Sequence, residues 1–130
     1  METKYPHFII VDDDPINNFI TKRLIKKNYP NAEVITFTDP EAGLQYVMSI
    51  FEKPDNGKAI LLLDINMPIM TGWQFMEHLE LVGIGVSNRL LIYILSSSVD
   101  PADKKRAKVN PHINDYIMKP LTAEALRLFA

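Results

Sequence analysis

The sequence predicts a three-layer α/β sandwich, with a doubly wound sheet of five parallel strands flanked by five helices. Two observations predict it. Short, unbroken apolar runs alternate five times with amphipathic stretches; continuous rather than alternating hydrophobicity marks strands covered on both faces. Each run also hands over to helix-start or turn residues, the β-α order that winds a parallel sheet. The chain has 130 residues, 47% hydrophobic and 23% charged, which suits one globular domain with its own core.

The elements follow in order. "FIIV" (Phe8–Val11) is the first strand. Asp14-Pro15 then opens a helix, with Asp as the cap and Pro in the first turn. Ile16, Ile20 and Leu24 recur at helical spacing, flanked by Phe19 and Ile25, up to about Asn28. After the turn "NYPN" comes the strand "EVITF" (Glu33–Phe37), and "TDPEAGLQYVMSIF" restarts a helix with a second Asp-Pro. A loop at Lys53–Gly57 leads to the third strand, "AILLLD" (Ala59–Asp64). A loop with Pro68 and Gly72 precedes the helix "WQFMEHLEL", and "LLIYIL" (Leu90–Leu95) is the fourth strand, ending in "SSS". "DPADKKRAK" is a short helix, "NDYIM" (Asn114–Met118) the fifth strand, and "TAEALRLFA" a final α-helix.

Several function classes find no support. The formal net charge is −2, where a nucleic-acid binder is usually clearly basic. There is no cysteine, which excludes disulfides and thiolate metal sites. No apolar run is long enough to span a membrane, and "METKYPHF" lacks a signal-peptide core. A soluble cytoplasmic protein is the expectation. His7, His78 and His112 lack metal-ligand spacing, and there is neither a nucleophile elbow nor a Gly-rich phosphate loop. Lys104–Arg106 reads as a solvated helix face, and Trp73 and Met76 as packing residues.

The chemistry collects at strand C-termini, where open α/β sheets bind ligands. The first strand delivers Asp12 and Asp13, the third Asp64, the fourth Ser96 and the fifth Lys119. Taken singly, each is a turn former, a backbone-bonding hydroxyl or a surface charge. Together, three carboxylates, a hydroxyl and an ammonium should meet at one edge. Close carboxylates raise each other's pKa unless a cation is present, and an all-oxygen ligand set suits a hard ion, Mg²⁺ first. Lys119 adds a point charge suited to a phosphoryl oxygen. A carboxylate nucleophile, a metal and a Lys clamp are parts of a phosphoryl-transfer site. Asp14 stands apart as the cap of the helix that Pro15 begins.

With "IIVDDDP", "LLLDINMPIMTG", "YILSSS" and "DYIMKP" in this order, nearly the whole chain resembles the CheY-like receiver domain of two-component response regulators. The resemblance implies a flavodoxin-like sheet in the order 2-1-3-4-5 and one receiver domain over residues 1–130, read as a single-domain regulator. It implies that Asp64 accepts a phosphoryl group from a histidine kinase or histidine phosphotransfer protein. Asp12, Asp13, Asp64 and the backbone carbonyl of Asn66 would bind Mg²⁺, or Mn²⁺ in its place. Lys119 and Ser96 would engage the phosphoryl group, and Ser96 and Tyr116 would form the switch. Asn66, Ser97 and Ser98 would tune its lifetime, and the Lys119–Pro120 peptide would be cis. The chain would catalyse only its own phosphoryl transfer and dephosphorylation.

Implied partners are the phosphodonor, docking near Ile16–Asn18 and the loop after Lys119, and a downstream target protein whose identity is open. No direct contact with nucleic acid or membrane is implied. The chain would be a monomer, or a weak homodimer through the fourth helix, fifth strand and fifth helix. Two other readings compete. A haloacid-dehalogenase-type phosphatase would use Asp12 as nucleophile with Asp14, Ser96 and Lys119, but leaves Asp64 without a role. A binding module independent of phosphorylation leaves the acidic residues without one.

Overall fold

The computed structural model describes residues 3, 5–51, 58–83 and 89–130; the loop expected at Lys53–Gly57 lies outside them. Among the described residues the strands are β1 (His7–Val11), β2 (Glu33–Phe37), β3 (Ala59–Leu63), β4 (Leu90–Ser96) and β5 (Ile113–Met118). Between them run helices α1 (Pro15–Asn28), α2 (Pro40–Phe51), α3 (Gly72–Leu81) and α4 (Pro101–Val109). All strand pairs are parallel, and the sheet order β2-β1-β3-β4-β5 is the expected one.

Alternate residues of each strand feed two cores. Ile9, Val11, Leu61, Leu63, Ile92 and Ile94 pack with Leu44 and Val47 of α2, Phe75, Met76 and Leu79 of α3, and Ala107 of α4. Phe8, Ile10, Ile60, Leu62, Tyr93 and Leu95 face the other way, toward Ile25 and Tyr29. Burial on both faces is why the runs read as unbroken hydrophobicity.

The helix starts behave as the capping residues dictate. Asp14 accepts a hydrogen bond from the Ile16 amide at 2.9 Å, Asp39 from Glu41 at 3.1 Å and Asp100 from Ala102 at 2.9 Å, each with proline next in the chain. Thr71 and Gln74 close a reciprocal capping box on α3.

Two features depart from a simple reading of the sequence. The helical spacing in α1 gives the helix but not its orientation: the residues it buries are Asn18, Thr21 and Ile25. Ile16, Phe19 and Ile20 are 69%, 63% and 53% exposed. Asn18 is drawn inward because its side-chain amide donates to the Asp12 carbonyl at 2.9 Å, holding the end of β1.

The second departure is the last element. The α-helix expected over "TAEALRLFA" is instead a 3-10 helix at Ala125–Phe129, so among the described residues the sheet is flanked by four α-helices and this 3-10 turn. A spacing of three places both Leu126 and Phe129 fully inside the second core. The Tyr29 hydroxyl takes the Leu126 carbonyl, the acceptor an α-helix would have offered to Ala130, and the Ala130 amide turns back to Arg127 at 3.2 Å.

Candidate functional site

Parallel register builds the site. Val11 pairs with Leu63, so Asp12 and Asp64 sit side by side one residue past the ladder. Backbone bonds hold both: the Asp64 amide donates to the Val11 carbonyl at 2.9 Å, and the Asp12 amide to Phe37 at 3.0 Å. On the other side Ser96 pairs with Met118, and the Lys119 amide donates to the Ser96 carbonyl at 2.9 Å. Gly72 makes this close packing feasible. A Cβ there would stand 2.4 Å from the Asp64 carbonyl oxygen and 2.9 Å from the Ile65 Cα, which no side chain could occupy without moving the end of β3.

Asp12 and Asp64 are 2% and 5% exposed, while Asp13 is exposed. One carboxylate oxygen from each of the three lies within 4.8 Å of the others. Lys119 reaches between them, with Nζ 2.6 Å from Asp12 and 3.6 Å from Asp64. The ammonium thus sits on the strand-one carboxylate rather than evenly on both. Asp12 also accepts from the Asp14 amide at 2.9 Å and from the Asn17 side chain at 2.7 Å. Among the described residues, the donor nearer to Asp64 is the Ile65 amide, at 2.9 Å.

Electrostatics follow from this inequality. Burial, then the charge of Asp12, pushes the Asp64 carboxyl up to about 6, against the pull of Lys119 and the Ile65 amide. Burial draws the Lys119 ammonium down, but its hydrogen bond to Asp12 and the charges of both aspartates outweigh that, and it stays protonated above its ordinary range.

Ser96 is fully buried at the end of β4, its hydroxyl oxygen accepting from the Ser98 amide at 3.1 Å. Tyr116 is half-buried on β5 and donates to the Ser98 carbonyl at 2.8 Å. Asn66 and Ser97 are exposed, Ser98 is half-buried, and the Lys119–Pro120 peptide is cis. The structure therefore brings Asp12, Asp13, Asp64, Ser96 and Lys119 to one sheet edge. Sequence reasoning missed Asn17 and Asn18 as parts of that edge. The available signal was a pair of amides in the first helical turn after an acidic strand end.

A family model described as the response regulator receiver domain matches residues 8–129. The chain belongs to that family. As a receiver domain it is similar to a two-component response regulator from Cytophaga hutchinsonii, with 27% identity, TM-score 0.87, and coverage of 99% of this chain and 95% of that one. It is also similar to a response regulator receiver protein from Dyadobacter fermentans, with 31% identity, TM-score 0.81 and coverage of 94% and 92%. Among curated proteins it is 29% identical to the two-component response regulator ARR11 of Arabidopsis thaliana over 92% of this chain, but spans only 21% of that protein's length.

Proposed function

We propose that this receiver domain takes a phosphoryl group onto Asp64 from a phosphohistidine of a histidine kinase or phosphotransfer protein, in a Mg²⁺-dependent reaction. The observation that carries the reading is the unequal carboxylate pair: Asp12 is held by three donors, while Asp64, buried at the neighbouring strand end, is the less engaged and has its carboxyl pushed up to about 6. An Asp64 oxygen attacks phosphorus, the P–N bond breaks, and the imidazole nitrogen keeps the electron pair and takes up a proton. Asp12, Asp13 and Asp64, with no His or thiolate among them, fit a hard divalent cation, and the Asn66 carbonyl would complete the set. Mg²⁺ bound there, or Mn²⁺ in its place, supplies neutralisation of the carboxylates and of the phosphoryl oxygens they face.

Lys119 then pairs with a phosphoryl oxygen and Ser96 donates its hydroxyl proton to another. The added charge of about −1.5 to −2 draws Ser96 inward, and Tyr116 follows through Ser98. Ser97, exposed beside the site, leaves it open; Asn66 and Ser98 flank it and set how long the phosphoryl group survives. The phosphodonor docks on the exposed Ile16, Phe19 and Ile20, which share a helical turn with Asn17, itself bonded to Asp12. The chain catalyses only its own transfer and dephosphorylation, in the cytoplasm. No helix among the described residues is long and apolar enough to cross a membrane.

The phosphatase reading would put the covalent phosphate on Asp12, the more heavily engaged of the two carboxylates, and leave Asp64 without a role. Incubation with acetyl phosphate and Mg²⁺, followed by intact mass, separates the two. Wild type should gain one phosphoryl group and Asp64→Asn none. Absence of an adduct from wild type, or its persistence in Asp64→Asn, sinks the proposal.

A further inference from the structure

The first turn of α1 is built around Asp12. Asp14 caps the helix by taking the Ile16 amide at 2.9 Å, and its own amide donates to Asp12 Oδ1 at 2.9 Å. Asn18 holds the main chain, donating to the Asp12 carbonyl at 2.9 Å and to the Phe37 carbonyl at 3.4 Å. Asn17, half-buried, holds the side chain: its amide donates to Asp12 Oδ2 at 2.7 Å, the oxygen that Lys119 meets at 2.6 Å. Both carboxylate oxygens are therefore tied.

Lys119 and Asn17 are unlike partners for that oxygen. The ammonium is a point charge on a flexible stem, within 3.6 Å of Asp64 as well, and follows the carboxylate if it turns. The Asn17 amide stands on a short stem on a capped helical turn and does not follow. Lys119 supplies charge, and Asn17 sets the plane of the carboxylate.

We propose that Asn17 is a positioning residue that makes the acidic cluster select Mg²⁺ over Ca²⁺. The inference rests on the cation-binding part of the reading above. Mg²⁺ demands near-ideal octahedral geometry, whereas Ca²⁺ takes more oxygens in looser arrangements, often both oxygens of one carboxylate. A carboxylate tied at both oxygens suits the first ion and resists turning both oxygens toward the second. Groups that orient a metal ligand are worth roughly 10–100-fold in affinity.

The test is the stabilisation of the full chain against urea by magnesium chloride and, separately, by calcium chloride. A cation that binds the folded chain raises its stability by an amount that gives the dissociation constant, and the readout is the ratio of the two constants. Asn17→Ala should weaken Mg²⁺ about ten-fold and leave Ca²⁺ nearly unchanged, so that the preference for Mg²⁺ falls about ten-fold. General loosening of the fold would weaken both ions and keep the ratio. Asn28→Ala is the control. It removes a similar amide bond, to the Leu24 carbonyl at 2.9 Å, at the far end of α1, and should leave the ratio as in wild type. An unchanged ratio in Asn17→Ala overturns the proposal, as does an equal fall in Asn28→Ala or a wild type that Ca²⁺ stabilises as well as Mg²⁺ does. A wild type stabilised by neither ion overturns the cation site, and this inference with it. Whether Asp64 accepts a phosphoryl group is read separately, from the acetyl phosphate adduct.

Discussion

Asp12 and Asp64 occupy equivalent places, one residue beyond the ends of adjacent parallel strands, and both are nearly sealed from water. Their surroundings differ sharply. Asp12 receives a backbone amide, a side-chain amide and an ammonium at 2.6 Å. Asp64 receives one backbone amide and sees the same ammonium at 3.6 Å. The difference teaches that burial alone does not set a carboxylate's role. Donors hold Asp12 fixed, while burial and the charge of Asp12 push the less engaged Asp64 carboxyl up to about 6.

Removing the shared cation should break the comparison most severely. Lys119→Met leaves two buried carboxylates facing each other, and losing one partner of a buried ion pair costs about 4 kcal/mol. Denaturant unfolding in EDTA at neutral pH should show a loss of that order. The Asp64 carboxyl should rise above about 6, because Lys119 lowers it in the intact site. A loss below about 1 kcal/mol would mean that Asp12 is held by its amide donors alone.

Next in size is the effect of Asp64 itself. With its carboxyl raised from 3.8 to about 6, ionising Asp64 costs the folded state on the order of 3 kcal/mol. Between these values the folded chain binds a proton that the unfolded chain has released, so this group makes stability rise as pH falls from about 6 to 3.8. Asp64→Asn, measured without metal, should therefore be the more stable protein above pH 6 by up to that amount. Its advantage should fade as the pH drops through the window. An advantage that is flat with pH would show that Asp64 is not the group titrating there.

The two carboxylates also mark how far the sequence could be read. Strands, Asp-Pro helix starts and the site edge were legible because each depends on local pattern, and parallel register then brings Asp12 beside Asp64 with no further information. The tilt of Lys119 toward Asp12 was not legible, since it depends on angstrom-scale differences between two strand ends. Nor was the inward turn of Asn18 and Thr21. There the apolar spacing of Ile16 and Ile20 marked a helix without saying which face it buries, and the need to satisfy the Asp12 carbonyl selected the polar one. The 3-10 ending was hidden likewise, because the Tyr29 hydroxyl that claims the Leu126 carbonyl comes from 97 residues away.

The finest probe of the comparison is Asn17→Ala. Asn17 donates at 2.7 Å to the same Asp12 oxygen that Lys119 holds at 2.6 Å. The oxygen therefore keeps a charged partner when the amide goes, and the cost should be about 1 kcal/mol, near that of an ordinary hydrogen bond. Asn17 is not among the groups that move the Asp64 carboxyl, so the pH profile of stability should keep its shape and shift as a whole. Unfolding curves across pH 4–8 check both points. A change of shape would show that the hydrogen bonds around Asp12 also steer Lys119 and, through it, the Asp64 carboxyl.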